Sequence, residues 1–272
     1  MRRLINRHPS RGARAFLGAL PFIAAIATYV IAAEMRSGAS ATPDKLMPGL
    51  QAFGAAMSQL MFSVDRASGS YLFWADTFAS LVRLGWGLSL SALIGLVAGV
   101  LVGFIPLLRA TFEPFFAALS LVPPLAVLPI LFILFGLGEL SKTVLIVFGI
   151  APFIIRDIVL RVTEIPREQI IKAQTLGASS WQMIIGVVLP QVLPRLISSV
   201  RLSLGAAWLF VIAAEAITAE AGLGYRIFLV RRYLAMDVIL PYVAWITLLA
   251  FVMDFALRRL HDSIGWVRHR EG

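Results

Sequence analysis

Ile171 to Pro190 reads IKAQTLGASSWQMIIGVVLP, a mixed polar and apolar stretch set between apolar runs that are each long enough to cross a membrane. Pro166 suits the first turn of a helix, which extends to about Leu176. Gly177 interrupts that helix, and Ser179 with Gln182 has the S-x-x-Q spacing of a capping box that opens a second short one. Pro190 and Pro194 then lead into the next apolar run. Two short helices joined at a glycine predict a rigid protruding elbow, not an ordinary amphipathic surface loop, because each start and stop is specified locally.

The flanking composition fixes the class. Of 272 residues, 59% are hydrophobic and 14% charged, and the apolar runs recur at lengths that span a hydrocarbon core of roughly 30 Å. Lipid cannot satisfy backbone hydrogen bonds, so spans are helices or closed barrels, and runs without period-2 alternation exclude the barrel. The expected fold is all-α and polytopic, with about six transmembrane helices at Phe16–Ala33, Leu84–Ile105, Phe115–Phe135, Thr143–Leu160, Leu196–Ala219 and Val238–Leu257. Residues 1–15 and 258–272 are read as tails, and residues 16–257 as one membrane domain whose elbow occupies about 161–195. The first span also has the basic start and small residues, Ala32 and Ala33, of a signal peptide, but removing it strands five arginines and leaves an odd number of spans.

Charge placement orients the chain. Arg2, Arg3, Arg7, Arg11, Arg14, Arg109, Arg156, Arg161, Arg167, Lys172, Arg195, Arg201, Arg258, Arg259, Arg268 and Arg270 fall on one side of the spans. Half as many, Arg36, Lys45, Arg66, Arg83, Lys142, Arg226, Arg231 and Arg232, fall on the other. Basic residues accumulate on the cytoplasmic face, so both termini and the elbow are expected there. The net charge of +9 therefore reads as lipid-headgroup contact and topology, and no nucleic-acid partner is expected. Without cysteine, disulfides, thiolate metal sites and cysteine catalysis are excluded; His8, His261 and His269 all lie near the termini, which leaves no histidine metal site inside the bundle.

Several spans carry residues with a particular physical use. Gly87, Ser91, Gly95, Gly99 and Gly103 recur every four residues and line one helix face with small side chains, a packing surface whose partner the spacing does not name. Pro123, Pro124 and Pro129 predict a broken third span, either lining a pathway or kinked for structural reasons. Gly136 and Gly138 allow a tight outer turn. The long outer segment Glu34–Arg83 ends in Tyr71–Leu84, where Phe73, Trp74 and Phe78 mix with Asp76 and Arg83 as in an interfacial helix on the membrane surface. In the fifth span Arg201 is placed to snorkel to the inner headgroups, and Glu215 lies deep, either lining a solute path or hydrogen-bonded to a neighbouring helix. Glu220, Gly222, Leu223 and Gly224 form a turn at its outer end.

The elbow resembles the cytoplasmic EAA loop of bacterial ABC importer permeases, whose pattern is E-A-A, three residues, Gly, nine residues, an aliphatic, one residue, then Leu-Pro. Gly177, Val187, Leu189 and Pro190 fall on the later positions and Ala173 on the second alanine, while Ile171 and Lys172 depart from the Glu and the first alanine. The runs SLVPPLAVLPILFILFGLGELSK (Ser120–Lys142) and RLSLGAAWLFVIAAEAITAEAGLGYRI (Arg201–Ile227) are similar to the taurine, nitrate and sulfonate branch, and the similarity covers roughly Ala79–Leu257.

That resemblance implies a type I importer permease in the bacterial inner membrane. It pairs with a second copy of itself, and its elbow engages two cytoplasmic ATPases through Arg167, Lys172, Ala173, Gly177, Ala178, Ser179 and Trp181. A periplasmic or lipid-anchored binding protein delivers solute, and the pathway takes in Ser120, Pro123, Pro124, Glu215 and Glu220. The chain has no G-x-x-x-x-G-K-[ST] phosphate loop, so ATP and Mg²⁺ are expected on the partner ATPase, with no cofactor and no catalysis on this chain. The branch favours small oxyanions or sulfonates, whereas Glu215 and Glu220 would suit a urea- or guanidine-like solute. An ion-coupled secondary transporter would need intramembrane ionisable groups, for which Glu215 is the one deep candidate.

Overall fold

The computed structural model describes residues 10–37, 47–64 and 69–264. Its elements in chain order are α1 (Arg11–Ser37), α2 (Leu50–Phe62), α3 (Leu72–Phe104), α4 (Pro106–Leu119), α5 (Pro124–Phe135), α6 (Glu139–Thr163), α7 (Arg167–Thr175), α8 (Ser180–Met183), α9 (Leu189–Thr218), α10 (Leu223–Arg231) and α11 (Met236–Ser263). A π-helical turn, Ile184–Val188, joins α8 to α9. Among the described residues five helices are long and apolar enough to cross a membrane, and six if α4 and α5 form one bent span. The fold is all-helical, as the composition required, because each span closes its backbone hydrogen bonds within itself.

Two compact units are present. One holds α1, α2 and residues 230–241; in it the Tyr29 hydroxyl donates to the Pro48 carbonyl at 2.8 Å. The other runs from α3 to Leu229 and resumes at Tyr242. At its centre α3 lies against α6, and the small-residue face is what brings them together. A β-carbon added at Gly87 would lie 2.6 Å from Ile146, at Gly99 2.6 Å from Ile158 and at Gly103 2.7 Å from Val162; Gly95 meets Ile154 in the same way. The glycine row thus packs within the chain, and Ser91 fits the row by donating its hydroxyl to the Gly87 carbonyl at 2.6 Å.

Tyr71–Leu84 is not a separate interfacial helix. It is the start of α3, a 33-residue helix of about 50 Å at 1.5 Å per residue. Asp76, Ser80 and Arg83 are buried rather than turned to headgroups, because each finds its partner in protein. The Glu215 carboxylate of α9, 0% exposed, accepts from Ser80 Oγ at 2.8 and 2.9 Å, from Arg83 Nη1 at 2.7 Å and from the Gly224 N–H at 2.8 Å. Arg83 also donates to Glu139 at the start of α6, at 2.8 Å through Nη2, and to the Ala221 carbonyl at 2.7 Å. Lys142 completes the group with a 2.8 Å bond to Glu139. Asp76 accepts from the Gly222 N–H at 2.8 Å and from Arg226 Nε at 2.7 Å, and Ser80 Oγ accepts from the Leu223 N–H at 2.9 Å. Gly222 has φ +136°, and any side chain there would strike the Glu215 carboxylate, so the turn closes over it.

The third span breaks at the prolines. α4 and α5 meet at 97° across Ser120–Pro123. Pro124 opens α5 at a position where a missing N–H costs nothing, while Pro114 and Pro129 are absorbed inside their helices. Arg201 is held by Asp254 of α11 at 3.0 Å rather than by headgroups alone.

Gly99→Leu is expected to lower the thermal midpoint of the detergent-solubilised protein, from overpacking of roughly 1–3 kcal/mol. Gly85→Leu, where an added carbon meets nothing within 4 Å, is expected to leave it unchanged. Glu215→Ala strips the buried Arg83 of a partner and is expected to cost about 3–5 kcal/mol, with Glu215→Gln intermediate. A Glu215→Ala melting curve matching the wild type would show that the carboxylate holds nothing together.

Candidate functional site

α7 ends in a Schellman motif. Gly177 adopts φ +80°, its N–H donates to the Gln174 carbonyl at 2.9 Å, and the Ala178 N–H donates to the Ala173 carbonyl at 3.0 Å. Two residues later the capping box closes: Ser179 N–H donates to Gln182 Oε1 at 2.8 Å, and Gln182 N–H to Ser179 Oγ at 3.3 Å. Two of these bonds end α7 and two open α8, with no residue free between them, so local sequence constrains the elbow's angle.

The elbow is also anchored. Met183, Ile184 and Val188 are buried beneath it. Gln191 of α9 donates to Gln169 of α7 at 2.9 Å. Below, Asp157 of α6 accepts from Arg195 of α9, with Nε at 2.8 Å, and from Ser199. At the turn Leu176 is 79% exposed and Trp181 64%, with Ile171 and Ile185 also exposed, which gives the elbow an apolar surface that reaches the rim of its inner cavity at Leu176.

The residues expected at this site divide by position. Gly177, Ala178 and Ser179 make the turn, and Trp181 stands on the tip. Lys172 and Ala173 line the inner, concave side, a cavity of about 780 Å³ shared with Gln169, Pro190, Arg195 and His261. Arg167 is exposed and borders a second recess with Gly103, Arg109 and Val188. Sequence reading passed over Ile171, Leu176 and Ile185; the signal was available, since exposed apolar residues in an otherwise polar helix pair suggest a contact surface.

The five pathway candidates do not form one constellation. Glu215 is sealed in the cluster with Ser80 and Arg83, which is the hydrogen-bonded alternative of the two the sequence left open. Glu220 is exposed at the adjoining turn. Pro123 and Pro124 sit at the bend, and Ser120, which ends α4, accepts from Arg156 Nη1 at 2.7 Å. In α10 burial disfavours the Arg226 charge, but the Asp76 carboxylate outweighs it and holds the guanidinium above its usual range. No group of three His, Cys, Asp or Glu placed to hold a metal occurs among the described residues.

Residues 91–265 match the family described as binding-protein-dependent transport system inner membrane component. The chain is 36% identical to the taurine transport system permease protein TauC of Escherichia coli (strain K12), over 70% of each chain. It is 30% identical to the bicarbonate transport system permease protein CmpB of a Synechocystis species, over 71% of this chain and 69% of that one. Among solved structures, the MetNI methionine ABC transporter in inward facing conformations superposes with a TM-score of 0.63 at 23% identity, covering 71% of this chain and 96% of the other, which is a likeness of fold. This chain therefore belongs to the binding-protein-dependent transport system inner membrane components, as a multi-pass permease of the ABC importer class.

Proposed function

We propose that this chain is the non-catalytic transmembrane subunit of an ATP-driven importer that moves taurine, a sulfonate, nitrate or a similarly small nitrogen or sulfur compound into the cytoplasm. Two copies form the pore, two cytoplasmic ATPases carrying ATP and Mg²⁺ drive it, and an external binding protein supplies the solute. Both termini and the elbow lie on the cytoplasmic side.

The observation that carries this reading is the elbow. An exposed leucine and tryptophan on a tip whose angle is fixed by a Schellman motif and a capping box suit docking into a groove of a partner. From Ser180 the chain continues as one 39-residue helical run to Thr218, so displacement of the tip moves a membrane span as a body. Relatives that carry taurine and bicarbonate support a small anionic or zwitterionic cargo.

Uptake into membrane vesicles tests the class. With the binding protein present, import of one of labelled taurine, ethanesulfonate, nitrate or bicarbonate is expected to require ATP, to be abolished by vanadate and to persist with an uncoupler. Loss with the uncoupler alone would indicate an ion-coupled carrier. Trp181→Ala is expected to weaken co-purification of the ATPase. Gly177→Phe, which forces a side chain into a left-handed backbone, is expected to cut uptake at least tenfold while membrane insertion is retained. Wild-type uptake by Gly177→Phe would sink the coupling role.

A further inference from the structure

Arg156 lies on α6 seven residues before its last residue, Thr163, roughly 10 Å inside the end of the helix, and it is exposed. Its neighbours are neutralised: Arg161 by Glu164, Arg195 by Asp157 and Arg201 by Asp254. Among the described residues Arg156 has a hydroxyl instead, the Ser120 Oγ at the 97° bend.

Capping the end of α4 does not exhaust such a group. One N–H of the five in a guanidinium is used, and the planar fork stays open to a bidentate oxyanion. An unneutralised arginine within a span is costly unless it faces protein, water or a ligand. Arg156 shares its helix face with Gly149, two turns away, which packs against Phe210 of α9. Ile154 and Ile158, which meet α3, lie on the opposite side. The guanidinium is thus directed between the broken span and the α9 side of α6.

A groove of about 410 Å³ opens beside it, lined by Glu113, Phe116 and Ala117 of α4 and by Phe153, Arg156 and Asp157 of α6. Asp157 is already satisfied by Arg195 and Ser199. Glu113 is exposed and, among the described residues, has no ion-pair partner. It lies seven residues before Ser120, two turns along the same face and about 10 Å away. One open cation and one open anion therefore share a walled, partly aromatic groove.

We propose that Arg156 and Ser120 bind the oxyanion head of the transported solute at the bend and that Glu113 receives a cationic group at its other end, so that the groove selects a small zwitterion: a sulfonate or carboxylate joined to an ammonium. The N-terminus of α5 opens at the same bend and adds the positive end of its dipole. This inference rests on the importer reading and specifies its cargo.

The test is equilibrium binding of labelled taurine to the purified complex of this chain with its ATPases, without the binding protein. Taurine is expected to bind, with ethanesulfonate and ethylamine, each half of the molecule, competing at least tenfold less well. Arg156→Gln is expected to weaken binding about tenfold or more, as for loss of a charge-assisted contact, and Arg156→Lys to restore part of it. Glu113→Gln is expected to bring ethanesulfonate level with taurine. Assembly of each variant is followed by co-purification of the ATPase. Absence of taurine binding to the unaltered complex, wild-type affinity in Arg156→Gln, or an unchanged taurine preference in Glu113→Gln would overturn the inference. Each of these outcomes is separable from the importer reading, which stands or falls on ATP-driven uptake by the unaltered protein.

Discussion

A carboxylate with no access to water must be answered by protein, and the meeting point of α3, α6 and α9 is arranged around that requirement. Glu215 draws donors from two residues of α3 and from the backbone of the turn that leads into α10. Arg83, which answers it, is itself divided between α9 and the start of α6. Removing water makes each bond stronger and each vacancy more costly, so the three helix ends are held in a single register. The glycine at 222 belongs to the same arrangement, since only a residue without a side chain lets the turn come down onto the carboxylate.

The elbow is organised on a different principle. The bonds that close its turn are local, between residues three to five apart, and they fix an angle rather than a distance. Its two helices end and begin within a few residues of one another, over the buried Met183, Ile184 and Val188. Its exposed apolar residues are left over once those local demands are met.

This difference explains what could be read in advance. The elbow was legible because a capping box and a left-handed glycine are written in adjacent residues. The broken span was legible because Pro123 and Pro124 act on their own turn, although the size of the bend was not. The small-residue face could be recognised but not its partner: a row of glycines specifies closeness, and only the tertiary structure names Ile146, Ile154, Ile158 and Val162. The outer cluster was misjudged for the same reason. Asp76, Ser80 and Arg83 among aromatic residues look like a surface helix until Glu215, more than a hundred residues later, is seen to meet them. Arg83 and Lys142, counted as loop charges, turned out to be partners of Glu139.

One rod joins these two regimes. The helical run from Ser180 to Thr218 is about 58 Å long at 1.5 Å per residue. Its lower end is the elbow and its upper end carries Glu215. A tilt of about 10° pivoted at one end of a rod this long carries the other end through roughly 10 Å. The π-helical turn Ile184–Val188 lies near the bottom, where the backbone is wider and its hydrogen bonds are less favourable. The run is thus a long shaft, with the stiff elbow at one end and the other end bolted to two other helices. A shaft clamped in this way cannot swing alone: any tilt of it carries the clamped ends of α3 and α6 along.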